Sequence, residues 1–316
     1  MGLTVAIIGA GRVGTAVGSL LHRAGYEVGG VVSRSLPRAE EAVAIIGGGR
    51  PAIDVAKAVA GAHIVFLTVP DQHIAAVAAE ARAAAGGSLQ VMIHASGVLP
   101  ASIMGGGSGD KPIGLLSLHP MQSVADRRRG AQVLQGAYWG LEGDEEAYPL
   151  GERLVRAMGG IPLFIKPGGK GLYHGAACIT SNYLVSLMDM GLRLMEEAGI
   201  PRDRALPVLA HLMKGTMANM EAMGVPAALT GPIERGDTGT IARHLEAMAQ
   251  APGGRGPVTV EDLYRRLGLY TVELARGKRA AQGENGNIEE RLQQIADLLE
   301  GRPAYAGGGG EADPGN

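Results

Sequence analysis

The sequence predicts an α/β fold, a doubly wound and mainly parallel sheet domain at the N-terminus followed by an all-α domain. Two observations lead there. Up to about residue 165, short apolar runs alternate with helical stretches, and from Gly169 onward the strand signals stop and long amphipathic helices take over. The apolar runs are nearly continuous rather than alternating in polarity, as expected of strands covered on both faces.

The first run, Leu3-Thr-Val-Ala-Ile-Ile, feeds directly into Gly9-Ala-Gly11-Arg12-Val13-Gly14, and a small-residue helix over Thr15–Ala24 follows. This is a G-x-G-x-x-G loop in the strand-to-helix context of a dinucleotide site. Gly9 permits the tight turn, Gly11 lets the backbone approach a pyrophosphate, and Gly14 lets helix and strand pack closely. The free N–H groups of the helix start, from Arg12 and Val13 onward, favour a bound anion. The second strand, in Tyr26–Ser35, ends in Ser33-Arg34-Ser35 where a site for NAD would carry an acidic residue about 20 residues past the loop. A guanidinium fork and two hydroxyls suit a 2′-phosphate, so the expected cofactor is NADP(H).

The remaining elements of the first half follow in order. Helices are expected over Pro37–Ile46, Ile53–Ala60, Ile74–Ala85 and Glu145–Met158; strands over His63–Val69, Gln90–His94, Ile113–Leu118, Ala137–Leu141 and Ile161–Ile165. Ligands of open α/β sheets bind outside the carboxyl ends of the strands. Three such ends carry polar groups: Thr68-Val69-Pro70-Asp71, His94-Ala95-Ser96-Gly97 and His119-Pro120-Met121-Gln122-Ser123. Val69, Pro70 and Ser96 are expected beside the cofactor and His119 beside the substrate, although His94 and His119 could each simply hold a loop. No histidine spacing suggests a metal.

The helical half is expected to hold helices over Lys170–Ala198, Pro201–Met223, Thr238–Ala249, Thr259–Gly277 and Ile288–Leu299. In the first of these, Lys170, His174, Cys178, Ser181 and Asn182 follow i, i+4, i+8, i+11 and i+12, a polar stripe among apolar flanks. Such a stripe is expected to face the crevice, where partial desolvation would lower the Lys170 pKa and make it a usable acid or base. His174 and Asn182 would orient the substrate. Leu229–Asp237 reads equally as a capping loop, with Asp237 at a helix start, or as a segment bringing Thr230 or Arg235 to a substrate. The expected division is 1–166 for the nucleotide domain, 167–300 for a helical substrate-binding and dimerisation domain, and a disordered tail over 301–316.

Composition narrows the classes. The 316 residues suffice for two domains, and 29 basic against 31 acidic residues give no electrostatic drive toward nucleic acid or membrane. Cys178 is the single cysteine, which excludes an intrachain disulfide and fits a cytoplasmic protein. No signal peptide or membrane span is read, and the expected partners are a small-molecule substrate and a second copy of the chain.

Taken together, Gly9–Gly14, His94-Ala-Ser-Gly97, His119-Pro-Met-Gln-Ser123, Lys170-x-x-Tyr173-His174 with Ser181-Asn182-Tyr183, and Leu229–Asp237 resemble an uncharacterised two-domain family. That family is Rossmann-like with a C-terminal domain of unknown function. Its wider relatives are pyrroline-5-carboxylate reductase, the β-hydroxyacid dehydrogenases, ketopantoate reductase and prephenate dehydrogenase. The resemblance implies an NADP(H)-dependent oxidoreductase acting on a small carbonyl, imine or hydroxy acid, commonly as a dimer. Lys170 matches the proton-transfer lysine of the β-hydroxyacid dehydrogenases, and His174 stands where they carry Asn. Two other readings stay open: a nucleotide-binding sensor or scaffold without turnover, and an oxidoreductase using the deazaflavin F420.

Overall fold

Eight strands form one sheet: β1 (Thr4–Ile8), β2 (Glu27–Val32), β3 (Arg50–Ala52), β4 (Ile64–Leu67), β5 (Val91–His94), β6 (Gly114–Pro120), β7 (Tyr138–Gly143) and β8 (Ile161–Phe164), in the order 3-2-1-4-5-6-7-8. The first six are parallel. The structure, a computed structural model, describes residues 2–105, 113–250, 258–283 and 287–301. The glycine-rich tail expected to be disordered lies, beyond Gly301, outside the described residues.

Helices α1 (Arg12–Arg23), α2 (Leu36–Ile46), α3 (Val55–Val59), α4 (Ile74–Ala85), α5 (Gly130–Val133) and α6 (Tyr148–Ala157) accompany the sheet. Two buried apolar clusters result. One joins Val5, Ile7 and Phe66 to Val17 and Leu21 of α1, the other joins Ile8, Val65 and Leu67 to Ile74 and Ala78 of α4. Successive strand residues thus feed opposite faces, and both faces are dry. The order reverses between β1 and β4, which puts the topological switch point at the glycine loop.

Two features depart from the sequence expectation. Strand β3 is an edge strand of three residues containing Pro51, too short to give a periodicity signal. The β7–β8 pair runs against the rest, β7 being antiparallel to β6 and parallel to β8. The β6–β7 connection carries only the four-residue α5, not a helix long enough to return the chain along the sheet.

The chain divides into two compact units, Met1–Tyr183 and Leu184–Asn316. The first therefore also includes α7 (Lys170–Ala177) and a π turn over Cys178–Asn182. The second holds α8 (Tyr183–Glu197, from its second residue), α9 (Arg202–Met223), α10 (Val225–Ala228), α11 (Thr238–Gln250), α12 (Val260–Gln282) and α13 (Asn287–Glu300). Its core is built by the last three: Ile241 and Leu245, Val272 and Ala275, Leu292, Ile295 and Leu299. Helix α12 starts at a capping box in which Thr259 and Asp262 satisfy each other's backbone N–H groups. By contrast α8 and α9 bury only Leu192 and Ala205.

Candidate active site

The glycine loop is shaped by two different requirements. Gly9 has φ +98°, and an added Cβ would lie 2.8 Å from the Thr68 carbonyl carbon. At Gly14 a Cβ would overlap Thr68 Oγ1 and Gly9 O. Thr68, at the end of β4, locks this turn by donating to Gly9 O at 2.6 Å. These two glycines are fixed by the protein's own packing. Gly11 is not: its φ is −81°, and the nearest atom a Cβ would meet is Gly9 O at 3.9 Å. Among the described residues nothing packs against position 11, so the open space beside it fits an external group brought close to the backbone. Arg12 begins α1 with its guanidinium donating to Ala125 O at 3.5 Å, and Val13 packs against the first core cluster. Ser33 is half-buried and Arg34 and Ser35 are exposed at the end of β2. The donor set fits a dinucleotide: a bare backbone cradle, a helix start without acidic residues in its first turn, and a guanidinium at the next strand end.

The ends of β4, β5 and β6 are tied together beside this loop. Val69 is half-buried and Pro70 exposed, and Asp71 accepts a hydrogen bond from Ser96 Oγ at 2.9 Å. Ser96 Oγ in turn accepts from the N–H groups of Val98 and Leu99. His94 is fully buried. Its Nδ1 accepts from Ser96 N at 3.1 Å, so Nε2 carries the proton and donates to Pro100 O at 3.1 Å. His94 is thus the holder of its loop, the structural alternative for this residue. Burial, the Lys170 charge adding to it, pushes its pKa down to about 4.

Lys170 opens α7 and is only 2% exposed. Its ammonium donates to Ser96 O at 2.6 Å and to Ser117 Oγ at 2.5 Å, bridging β5 and β6. Ser117 is itself buried and donates to Ser96 O at 3.2 Å. Desolvation lowers the Lys170 pKa to about 8, with the Glu142 and Asp71 carboxylates working against the shift. The expected lowering is there, but the ammonium is sealed behind two strand ends rather than standing open on a helix face.

The half-buried groups above it are His119, Tyr173 and His174. Tyr173 OH lies 3.1 Å from His119 Nδ1 and 3.3 Å from His119 O. The His119 ring stands edge-on to Tyr173 at 5.6 Å and to His174 at 5.9 Å. Gly97 is their seat: a Cβ there would overlap His174 Cδ2 and come within 2.9 Å of His119 Nε2. Burial lowers the His119 pKa to about 4, helped by the positive charge of Lys170, and raises that of Tyr173 to about 12. At neutral pH the site therefore holds one buried cation, Lys170, behind a neutral imidazole and a neutral phenol.

The polar stripe is interrupted by the π turn. Its i→i+5 bonding inserts a residue, so side chains beyond it are offset by about 100° from those of a regular α-helix. Cys178 Sγ stays 3.8 Å from His174 Nδ1, whereas Ser181 and Asn182 are exposed. The structure thus brings Lys170, His174, His119 and Ser96 together. Sequence reasoning left Ser117, Gly97 and Asp71 without a role and met Tyr173 only within a family motif. The i−2 spacing of Ser117 from His119, which puts both on one face of β6, was the available signal.

In the second unit, Leu229–Asp237 is held by Glu234, which pairs with Lys278 at 3.2 Å and Arg279 at 2.5 Å. Asp237 accepts from Thr240 N at 2.9 Å, which makes it the cap of α11. Thr230 and Arg235 are exposed. Among the described residues there is no cluster of three potential metal ligands and no helix long and apolar enough to cross a membrane.

Fold and glycine loop define a Rossmann-like two-domain protein. Residues 4–95 match the family described as NADP oxidoreductase, coenzyme F420-dependent, and residues 137–271 match a domain of unknown function, DUF2520. Both matches thus lie in one chain, in the order its motifs led one to expect. No curated protein matches it. Protein TM1727 from Thermotoga maritima is similar in structure at 27% identity and TM-score 0.65, over 88% of this chain and 99% of that one. An imine reductase from Myxococcus stipitatus in complex with NADP+ shares the fold at 13% identity and TM-score 0.56, over 95% of this chain and 95% of that one. So does a pyrroline-5-carboxylate reductase from Coxiella burnetii, at 15% identity and TM-score 0.52, over 95% of this chain and 97% of that one.

Proposed function

We propose that the protein is an NADP(H)-dependent oxidoreductase acting on a small carbonyl, imine or hydroxy-acid substrate. The observation that carries this reading is the meeting of four adjacent strand ends. The open cradle at Gly11 is joined through Thr68 and Asp71 to Ser96, and from there to Lys170, His119 and His174. Gly9, Gly11, Arg12, Val13 and Gly14 would hold the pyrophosphate, Ser33, Arg34 and Ser35 the 2′-phosphate, and Val69, Pro70 and Ser96 the nicotinamide end. When bound, the cofactor supplies or accepts a hydride. The residues of the chain have the other tasks. Lys170 is the proton store, its pKa near 8 allowing it to give and regain a proton around neutrality. Its charge favours the negative charge that develops on a carbonyl oxygen or accompanies a carboxylate. His119, fixed by Tyr173, and His174 orient the substrate; Asn182, exposed and turned off this face by the π turn, takes no part in that role. An imine reductase and a pyrroline-5-carboxylate reductase share the fold, which favours a C=N bond within this substrate class.

The test is consumption of NADPH, NADH or reduced F420 by the purified protein with panels of imines, keto acids and hydroxy acids. Turnover with NADPH that Lys170→Ala abolishes, while NADPH affinity is kept, supports the proposal. Turnover with F420 alone would move the cofactor assignment to the deazaflavin named in the matched family. Binding without turnover on any panel would favour the sensor reading.

We also propose a homodimer built on α8 and α9. A 22-residue helix that buries Ala205 alone gains little from packing in its own chain, and Leu184, Val185, Leu206, Val208 and Leu212 are exposed. Light scattering coupled to size exclusion would give twice the 32.5 kDa chain mass; a monomer at micromolar concentration overturns it.

A further inference from the structure

The segment between β6 and α5 has no part in the reading above. It runs Val124-Ala-Asp126-Arg127-Arg128-Arg129-Gly130 and is fastened in three places to α1 and α2. Ala125 O accepts from the guanidinium of Arg12, the first residue of α1. Gly130 lies against α1 so closely that a Cβ would be 2.8 Å from Ala16 Cβ and 3.4 Å from Arg12 O. Arg127 is ion-paired at 2.7 Å with Glu41 of α2, a residue 86 positions away in sequence. Asp126 closes the turn by accepting from Arg129 N at 2.8 Å. Val124 is packed against the core cluster that contains α1.

These contacts stretch the segment from the first turn of α1 to the middle of α2. The two helices begin at the glycine loop and just after Ser33-Arg34-Ser35, the two places where a dinucleotide would present phosphate. The ion pair absorbs the charge of Arg127, while Arg128 and Arg129 are exposed. A phosphate ligand beside α1 would explain why the segment is basic as well as fixed, since arginine forks suit phosphate oxygens.

We propose that residues 124–130 form a basic strap on the nucleotide site, in which Arg128 and Arg129 contact phosphate of the dinucleotide and the Arg127–Glu41 pair pins the strap in place. This rests on the dinucleotide reading of the glycine loop. Arg127 is a positioning residue here, and its role is carried by its partner's charge rather than by contact with ligand.

The experiment is a titration of the full chain with NADPH and with NADH at low salt, with thermal unfolding recorded for each variant as a check on folding. Arg128→Gln/Arg129→Gln is expected to weaken NADPH at least tenfold. If NADH is weakened equally, the strap meets the pyrophosphate; if NADH is unchanged, it meets the 2′-phosphate. Glu41→Gln is expected to weaken NADPH several-fold, and the exchange Arg127→Glu/Glu41→Arg to restore most of the loss. Wild-type affinity for both nucleotides in the double variant, with unfolding unchanged, overturns the strap while leaving the glycine-loop reading intact. A wild-type protein that binds neither nucleotide overturns both.

Discussion

Gly11→Ala and Gly14→Ala differ by three positions and should fail in opposite ways. At residue 14 the new methyl would overlap the Thr68 hydroxyl and the Gly9 carbonyl, both fixed by the hydrogen bond between them. Overpacking of this kind costs about 1–3 kcal/mol. For a unit of this size that is a Tm lower by about 3–10 °C. At residue 11 the backbone is one that alanine adopts, and its methyl meets nothing closer than 3.9 Å. The weaker preference for Ala at a helix N-cap and the smaller entropy of the unfolded chain oppose each other, so stability should stay within about 1 kcal/mol of wild type. The same methyl occupies the space proposed above for the pyrophosphate. Losing one hydrogen bond to a charged oxygen there costs about 1.5–3 kcal/mol, or about ten- to a hundredfold in affinity. Calorimetric titration with NADPH and thermal unfolding of both variants make the comparison. Wild-type NADPH affinity in Gly11→Ala would refute the reasoning, as would a Tm for Gly11→Ala as low as that of Gly14→Ala.

Three further outcomes are expected. Lys170→Met should raise the His119 pKa above about 4 but leave it below 6.5, because burial is the larger cause and the lysine charge the smaller; an NMR titration of the ring protons that shows no change refutes the coupling. Stability should fall as pH drops from about 6.5 to about 4, since the unfolded chain binds protons there that native His94 and His119 refuse, with fully buried His94 worth at most about 3 kcal/mol. The buried lysine acts in the same sense at higher pH: its depressed pKa makes stability rise between pH 8 and 10.5, and a pH series of denaturant midpoints flat in both windows would sink both assignments. Gly97→Ala should displace the His174 and His119 rings and lower turnover while sparing NADPH affinity, and steady-state kinetics with unchanged kcat would dismiss Gly97 as their seat.

The parts of the molecule legible in the sequence are those whose cause is local. The glycine loop could be read because turn, helix start and close packing all lie within six residues. Helix α4 was bounded as expected because its apolar period and its flanking Pro70 and Gly86 are local too. Strand β3 was not legible, since three residues with a proline become a strand only by pairing with β2. The polar stripe marked the right helix but not its depth, since periodicity reports direction and cannot say that Ser96 and Ser117 would enclose the Lys170 ammonium. Nor does a sequence announce a π turn, which offsets Ser181 and Asn182 from the face that i, i+4 spacing assigns them. Gly97 and Tyr173 become meaningful only once β6 and α7 are in place, because Tyr173 meets His119 across 54 residues and Gly97 meets side chains of both elements.

The ammonium bridge also bears on how the protein can be dissected. A chain cut after residue 166, where the strands end, would keep the sheet and the glycine loop. It would lose Lys170, leaving Ser96 O and Ser117 Oγ without their charged donor. Such a fragment should be weak in folding, through buried polar groups left without their partner. A fragment ending at Tyr183 carries its own closure. The lysine is in this sense the clasp of the nucleotide unit, which makes residue 183 the natural place to separate its binding chemistry from the helices that follow.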